Sequence, residues 1–322
     1  MSTSSSSNSK KPSFLDLVKA CDNFPYDADT DKLYKLYLPD DDRIHGYMLP
    51  EVVSKMPWTP DFTITQDHPL CVQLHPLNIS SSDFSTACND AFAKVINRAI
   101  DEDIFSTLHK EHSEPYAIPG AKEPVHLERY AASLFGTISR GAHLTIFTRS
   151  KGQMKIWVAR RSAHLFTYPG KFDTTVAGGV RADESPFETI VHEADEEASL
   201  PSGLIRSKVQ AAGVITYMKT TGAGSGGNRG LINADMVYVY DLEVSEEIVP
   251  KPNDTEVEGF YLWGVDKVRA ELLNGGFKTN SAVVMIDFFI RHGVVTAEEE
   301  RDYTEIVMRM HRNLPFPTAP PS

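Results

Sequence analysis

Three glutamates with helical spacing are the residues of this chain best suited to chemistry. Glu193, Glu196 and Glu197 stand at i, i+3 and i+4, which places their side chains on one face of a helix. Like charges so close together repel each other and weaken the helix, so we expect a cation between them. Carboxylate oxygens favour Mg²⁺ or Mn²⁺ over zinc. The alternative is a solvated acidic face that binds nothing.

The segment that carries these glutamates is predicted to form one amphipathic helix after a tight turn. Ser185 is a favourable N-cap, Pro186 suits the first helical position, and Glu188 completes a capping box. The apolar residues that recur at helical spacing are Phe187, Ile190, Val191, Ala194 and Ala198. An Ala-Gly-Gly turn at 177–179 precedes the helix. Turn and helix together can hold a divalent cation against a phosphate chain.

The full spacing resembles the signature of Nudix hydrolases. The residues in register with that signature are Gly178, Glu184, Glu193, Ala194, Glu196, Glu197 and Leu200. Two positions depart from it: His192 stands where the family usually has Arg, and Ser199 where it usually has Gly. The resemblance implies an α/β fold, an α/β/α sandwich with a mixed sheet. It also implies hydrolysis of a diphosphate bond that depends on Mg²⁺ or Mn²⁺.

The resemblance also implies roles for individual residues. Glu193, Glu196 and Glu197 are the expected metal ligands and catalytic carboxylates, and the carbonyl of Ala177 is an expected additional ligand. Glu184 is expected to support the loop and the helix start. A water molecule polarised by Glu193 would attack the diphosphate.

Several stretches outside the signature resemble one Nudix subfamily, which is usually labelled thiamine pyrophosphokinase-related and carries an extra N-terminal domain. These stretches are 157–162, 168–170, 173–179, 196–201, 239–242, 250–258 and 289–293. The likeness covers most of residues 13–316 and implies substrates such as thiamine diphosphate, especially its oxidised or damaged forms. The alternatives are a hydrolase of a nucleoside diphosphate derivative such as ADP-ribose or NADH, and a non-catalytic ligand-binding protein.

Further site residues are expected near the predicted helix. Glu256 and Glu258 lie on a later strand, where alternation would place both on one face, and one of them, Glu258, is expected to act as a base or an extra ligand. Arg160 and Arg161 point to opposite faces of their strand, and Arg161 is the one expected at the substrate. The other expected substrate-binding residues are Tyr168, Asp173 and Lys278. Core packing is the alternative for Tyr168.

The rest of the sequence predicts the domain organisation and excludes some functions. Residues 1–12 and 315–322 are expected to be disordered tails, 13–122 a smaller α+β domain that acts as a lid or has a structural role, and 123–314 the hydrolase domain. A Pro-rich segment at 112–124 is the expected linker, and 131–137 an expected strand. The 32 basic and 44 acidic residues give a net charge of −12, which argues against nucleic-acid binding.

The chain is therefore expected to act on a small-molecule diphosphate, as a monomer or homodimer, without a membrane or nucleic acid. Its three cysteines, Cys21, Cys71 and Cys88, show no metal-binding spacing and are expected to be reduced thiols in a cytoplasmic protein.

Overall fold

The structure is a computed structural model, and it describes residues 12–77, 84–108, 114–222 and 227–321. The helices are α1 (Phe14–Cys21), α2 (Pro50–Lys55), α3 (Phe84–Asp101), α4 (Ala132–Phe135), α5 (Pro186–Ala198), α6 (Ser202–Lys208), α7 (Val265–Leu273), α8 (Thr279–Arg291) and α9 (Tyr303–Met310). The strands are β1 (Tyr34–Tyr37), β2 (Gly46–Met48), β3 (Phe62–Thr65), β4 (Cys71–Leu74), β5 (Pro115–Ala117), β6 (His126–Glu128), β7 (Ile138–Ser150), β8 (Gln153–Arg161), β9 (Phe172–Asp173), β10 (Val176–Gly179), β11 (Gln210–Thr220), β12 (Ile232–Glu243) and β13 (Val257–Gly264). Short 3₁₀ helices span Thr30–Lys32 and Arg129–Ala131.

A mixed sheet forms the centre of the molecule. Its strand order is β11-β12-β7-β8-β13, with β10 paired to β7 and β9 paired to β8. Strands β12 and β7 run parallel, and the other pairs are antiparallel. Buried residues of α5 and α6 pack with one face, and those of α1, α7, α8 and α9 pack with the other. This arrangement confirms the predicted α/β/α sandwich.

A second, smaller sheet lies in the N-terminal part of the chain. Its order is β2-β1-β4-β3, in which β1 and β4 are parallel. Helices α2, α3 and α4 bury their apolar residues against it. The predicted α+β region is therefore present as a separate sheet with its own core.

The two cores do not follow the predicted division at residue 122. Helix α1 belongs to the core of the central sheet, where Phe14 packs edge-on against Phe289 with ring centroids 6.5 Å apart. Conversely, Leu127 and Phe135 are buried in the core of the smaller sheet. The prediction of a cut at 122 was wrong in this respect because a local Pro-rich composition does not report which core a distant segment joins.

Three local predictions were also wrong. The expected linker at 112–124 contains β5, which pairs with β6; residues 109–113 lie outside the described residues. The expected strand at 131–137 is instead the short helix α4, which ends at Gly136 in the left-handed conformation (φ +64°). The tail expected to be disordered from 315 contains Phe316, which is buried and packs against Tyr47.

None of the helices within the described ranges is long and apolar enough to cross a membrane.

Candidate active site

Helix α5 has the bounds that its capping residues predict. The Ser185 hydroxyl accepts a hydrogen bond from the Glu188 N–H at 3.2 Å. The capping box is only half formed, because the Glu188 carboxylate instead accepts two hydrogen bonds from Arg206. At the other end Ser199 adopts the left-handed conformation (φ +54°) that glycine usually supplies, and its hydroxyl donates to the Lys251 carbonyl at 3.0 Å. Serine at this position therefore does not prevent the helix from ending.

Two carboxylates of α5 lie directly against β10. Glu197 is buried, and its Oε2 accepts a hydrogen bond from the Ala177 N–H at 3.1 Å. Glu193 lies against Gly178, where a β-carbon would come within 2.0 Å of its Oε1. Position 178 must therefore lack a side chain for Glu193 to lie there. Glu196, two residues before the end of the helix, is exposed.

The carbonyl of Ala177 lies on the same side of β10 as these carboxylates. In a strand the N–H and C=O of one residue point to the same edge. Since the Ala177 N–H points to Glu197 and not to β7, its carbonyl also points away from β7. This is the side on which an additional ligand is needed.

The carboxylates of α5 are poorly compensated by positive charge. Burial, followed by repulsion from Glu196 and Glu256, raises the pKa of Glu193 to about 8. Burial and the charge of Glu193 raise the pKa of Glu197 well above its usual range. A divalent cation would neutralise the charge of buried carboxylates that repel each other. The donor set therefore fits Mg²⁺ or Mn²⁺.

This fit is partial in the side-chain conformations that the structure shows. Within the described residues, no three His, Cys, Asp or Glu side chains already converge on one point. A bound cation would therefore require the carboxylates to close around it.

His192 makes a hydrogen bond within the signature, although it stands where an arginine was expected. Its Nδ1 lies 2.7 Å from Oε1 of Glu184, whose other oxygen accepts a hydrogen bond from the Thr189 hydroxyl at 2.9 Å. Glu184 thereby links the loop before α5 to the first turns of that helix. This geometry agrees with the supporting role that was expected for Glu184.

A cavity of about 200 Å³ lies along β10, with Ala177 and Gly178 in its wall together with several cationic side chains. Glu193 and Glu197 contact β10 but are not among the residues that line the cavity. Arg161 and Lys278 both line this cavity, and both lie beside the buried Asp173, at 3.6 Å and 3.5 Å from its Oδ2. Burial opposes ionisation of Asp173, but the charges of Lys278, His143 and Arg161 outweigh it and lower its pKa to about 2. Asp173 thus holds the two cations in place and does not itself line the cavity.

Glu256, and not Glu258, lines this cavity. The expected alternation fails because a bulge between Val257 and Gly259 inserts one residue opposite β8. Glu258 is half exposed and pairs with Arg160, 3.4 Å away, outside the cavity. The prediction that both glutamates share one face was wrong, and the structure does not bring Glu258 to the site.

Tyr168 lies outside the cavity as well. It lines a separate, mostly apolar cavity of about 450 Å³ that also includes Leu17 and Phe277. Its hydroxyl accepts a hydrogen bond from the Thr279 hydroxyl at 3.3 Å. The structure therefore places Tyr168 in packing next to the site and not on the phosphate-binding wall.

Several cavity residues escaped the sequence analysis. Arg129, Tyr116 and Arg140 line it, as does His143, a buried histidine whose Nδ1 is 2.8 Å from the Thr174 hydroxyl. Burial lowers the pKa of His143 to about 4, so its ring is neutral at pH 7. None of these residues belongs to a spaced motif, and only the alternation along β7 could have indicated that Arg140 and neighbouring residues face a pocket.

The sandwich, the glycine turn and the acidic helix are those of a protein with a NUDIX domain, and the NUDIX domain family matches residues 139–281. Over nearly its whole length the chain belongs to the same family as "Uncharacterized protein YJR142W" of Saccharomyces cerevisiae. The two are 34% identical over 318 residues, which cover 95% of this chain and 92% of the yeast protein.

Two further similarities concern the central part of the chain. It is 34% identical over 195 residues to "Nudix hydrolase 20, chloroplastic" of Arabidopsis thaliana, which covers 60% of this chain and only half of the plant protein. The NUDIX domain of Shewanella oneidensis NrtR complexed with ADP ribose is 15% identical, with a TM-score of 0.33, over 42% of this chain and 79% of that one.

Proposed function

We propose that the protein hydrolyses a small X-diphosphate to X-monophosphate and phosphate, with Mg²⁺ or Mn²⁺ as cofactor. The observation that carries this proposal is that one strand, β10, contacts the carboxylates of α5 and also lines a cavity with cations at its wall. Glu197 and Glu193 lie against Ala177 and Gly178, and these two residues of β10 line the same cavity as Arg161 and Lys278. A metal-bound diphosphate needs both signs of charge at close range.

The residues of this chain divide the chemical work between them. Glu193, Glu197 and the Ala177 carbonyl would hold the cation, with Glu196 closing from the exposed end of the helix. When bound, the cation would neutralise phosphate charge and acidify a water molecule. Arg161 and Lys278 bind phosphate oxygens and are kept in place by Asp173. Glu256 takes the part that was expected of Glu258 and accepts the proton of the attacking water at its carboxylate.

For the group X, we propose a thiamine-like compound, including oxidised or damaged forms of thiamine diphosphate. The support is the resemblance of the flanking stretches to the thiamine pyrophosphokinase-related subfamily. An outer cavity of about 530 Å³ adjoins the phosphate cavity, shares Arg161 and Glu256 with it, and is lined by Tyr130 and Phe166. Aromatic side chains at its wall suit a heterocycle.

The test is a substrate panel with the purified protein. Thiamine diphosphate, its oxidised analogues, ADP-ribose and NADH are incubated with Mg²⁺, and the released phosphate and nucleotide products are measured. We expect cleavage of the thiamine-type diphosphates that stops with EDTA. A clear preference for ADP-ribose would contradict the substrate class. Absence of cleavage of every compound, with Mg²⁺ still bound, would contradict the enzymatic proposal and favour a ligand-binding protein.

A further inference from the structure

The glycine pair of β10 receives one side chain from each of two distant parts of the chain. Gly178 makes room for Glu193 of α5, and Gly179 makes room for Tyr116 of β5. A β-carbon at position 179 would lie 1.6 Å from the Tyr116 hydroxyl oxygen. The stretch before the matched NUDIX span therefore lies directly on the strand that the catalytic helix also contacts.

The backbone fixes this stretch at the site. The N–H of Ala182, in the loop before α5, donates to the Pro115 carbonyl at 2.8 Å. On the other side of the hairpin, β6 leads into the 3₁₀ helix that starts at Arg129, and the Arg129 N–H donates to the Glu114 carbonyl at 2.9 Å. The position of Arg129 is therefore determined by the same hairpin that contacts the catalytic loop.

Arg129 lies at the junction of the two cavities. It lines both the inner cavity, beside Ala177 and Gly178, and the outer cavity. Its guanidinium group stacks over the ring of the buried Tyr116, 5.5 Å from the centroid, and its Nη1 donates to the Glu114 carboxylate at 3.2 Å. A ligand that extends from the inner cavity into the outer one would therefore lie beside this group.

Four cations line the inner cavity, and their partners differ: Arg140 donates to the Arg181 carbonyl at 3.0 Å, and the other three lie beside carboxylates. Arg161 and Lys278 share the buried carboxylate of Asp173, which neutralises part of their charge. Glu114, the partner of Arg129, is 30% exposed, so solvent screens that ion pair. A guanidinium group has five N–H donors, and a contact to one carboxylate leaves donors for phosphate oxygens. Among the three cations that lie beside carboxylates, Arg129 is thus the one best able to exchange solvent for a phosphate, and unlike Arg140 it also lines the outer cavity.

We propose that Arg129, supported by Tyr116, binds the diphosphate of the substrate, so that the chain before the NUDIX span completes the active site. This inference rests on the proposed diphosphate substrate. The phosphoryl group that Arg129 contacts is the one nearer the outer cavity, and its charge is the part that the α5 side of the site does not neutralise.

The experiment measures binding of imidodiphosphate, a non-hydrolysable diphosphate, in the presence of Mg²⁺ by calorimetry. Arg129→Ala is expected to weaken binding about 10- to 100-fold, since it removes charged hydrogen bonds. Arg129→Lys keeps the positive charge but loses the paired N–H donors of the guanidinium group. Its affinity is expected to lie between those of the unaltered protein and of Arg129→Ala. The matched control is Arg149→Ala, because Arg149 also lies over an aromatic ring, that of Phe147, and donates to a glutamate, yet lies outside both cavities. It is expected to bind like the unaltered protein.

A purely structural role is distinguished by Glu114→Gln. If Arg129 only serves to pair with Glu114, both Glu114→Gln and Arg129→Ala must weaken binding alike, and that result would overturn the inference. If Arg129 binds the ligand, Glu114→Gln is expected to tighten the binding of imidodiphosphate, because Arg129 is then released from its ion pair with Glu114. Unchanged binding by Arg129→Ala, or no binding by the unaltered protein, would also overturn it. Because imidodiphosphate binding needs no turnover, a protein that binds it through Arg129 but cleaves nothing contradicts only the proposed enzymatic function.

Discussion

Glu256, just before β13, and Glu258, within it, have different surroundings although they are only two residues apart. Glu256 lines the cavity, while Glu258 pairs with Arg160 at the surface. We therefore expect Glu256→Gln to lower kcat about 100-fold or more, as expected for loss of a general base. Glu258→Gln should leave kcat near that of the unaltered enzyme, because exposed ion pairs contribute little. Initial rates under saturating substrate and Mg²⁺ measure both; equal losses in the two variants would contradict the assignment.

Asp173 is a buried anchor whose contribution to stability depends on pH. Its pKa is lowered to about 2 from an ordinary value of 3.8, so the stabilisation is complete above about pH 4 and is lost as the pH falls towards 2. Asp173→Asn removes the charge shared by Arg161 and Lys278. We expect it to lower the free energy of unfolding by about 3–5 kcal/mol at pH 7, as for a broken buried ion pair.

Urea unfolding of the unaltered protein and of Asp173→Asn between pH 7 and pH 2 measures this effect. The difference in the free energy of unfolding should be constant down to about pH 4 and then shrink. A difference that grows as the pH falls would show that the carboxylate of Asp173 is not the stabilising group.

The roles of single residues could be predicted only where the determining contacts are local. The carboxylates of α5 follow from helical spacing, and Glu193 and Glu197 do lie together against β10. Glu258 was misplaced because a one-residue bulge reverses strand alternation, and Gly259 was the available signal, since a glycine inside a strand often marks a bulge. Asp173 was predicted at the site, but its role as an anchor depends on burial that spacing does not report.

Strand β10 and helix α5 pack closely because Gly178 of the strand has no side chain where Glu193 of the helix lies. Gly178→Ala would place a β-carbon 2.0 Å from Glu193 Oε1 and 2.5 Å from its Cγ, so the carboxylate must move. A displacement of this kind can cost about 100-fold in rate, and we expect kcat/KM to fall by about that factor. The control is Gly203→Ala in α6, where a β-carbon meets no atom within 4 Å.

The control variant should raise the thermal midpoint slightly, since alanine favours a helix over glycine by about 0.5–1 kcal/mol. Steady-state kinetics and thermal melts of both variants decide the matter. Full activity in Gly178→Ala would mean that Glu193 does not need its position against β10.

Secondary structure could be predicted for segments with strong local signals, such as capping residues, and not for segments without them. The bounds of α5 agree because Ser185 and Pro186 define its start within a few residues. The segment 131–137 was predicted as a strand from its composition, but it forms α4, whose Leu134 and Phe135 are buried in the core of the smaller sheet. Tertiary packing there outweighs the weak local preference.

At the scale of the molecule, segments near both ends of the described chain are part of the packed structure. Asp22, just after α1, accepts a hydrogen bond from Arg312 at 3.0 Å, and Phe316 packs against Tyr47 with ring centroids 4.8 Å apart. The Pro-rich composition after 314 predicted disorder, because composition cannot show that one aromatic residue has a site 269 positions earlier in sequence (316 minus 47). Residues 1–11 lie outside the described residues, so the prediction for that tail stays a prediction.

Phe316 is therefore expected to stabilise the molecule. Phe316→Ala should lower the free energy of unfolding by about 3–5 kcal/mol, as for a buried aromatic side chain. Met308→Ala is the control, because Met308 is 67% exposed, and its effect should be small. Denaturant unfolding of the two variants measures the difference. If Phe316→Ala lowers the free energy of unfolding no more than Met308→Ala does, the prediction of a disordered tail from residue 315 would be supported instead.

The most direct measurement is the Mg²⁺ dependence of diphosphate cleavage by the unaltered protein and by Glu197→Gln, followed by ³¹P NMR. Glutamine keeps an oxygen that can accept the hydrogen bond from the Ala177 N–H but lacks the charge that would bind the cation. We expect cleavage by the unaltered protein to require Mg²⁺ and to fall more than about 100-fold in the variant, since loss of an outer partner of a metal ligand alone costs about 10- to 100-fold. Cleavage that persists in EDTA, or equal rates for the two proteins, would contradict a metal site on α5.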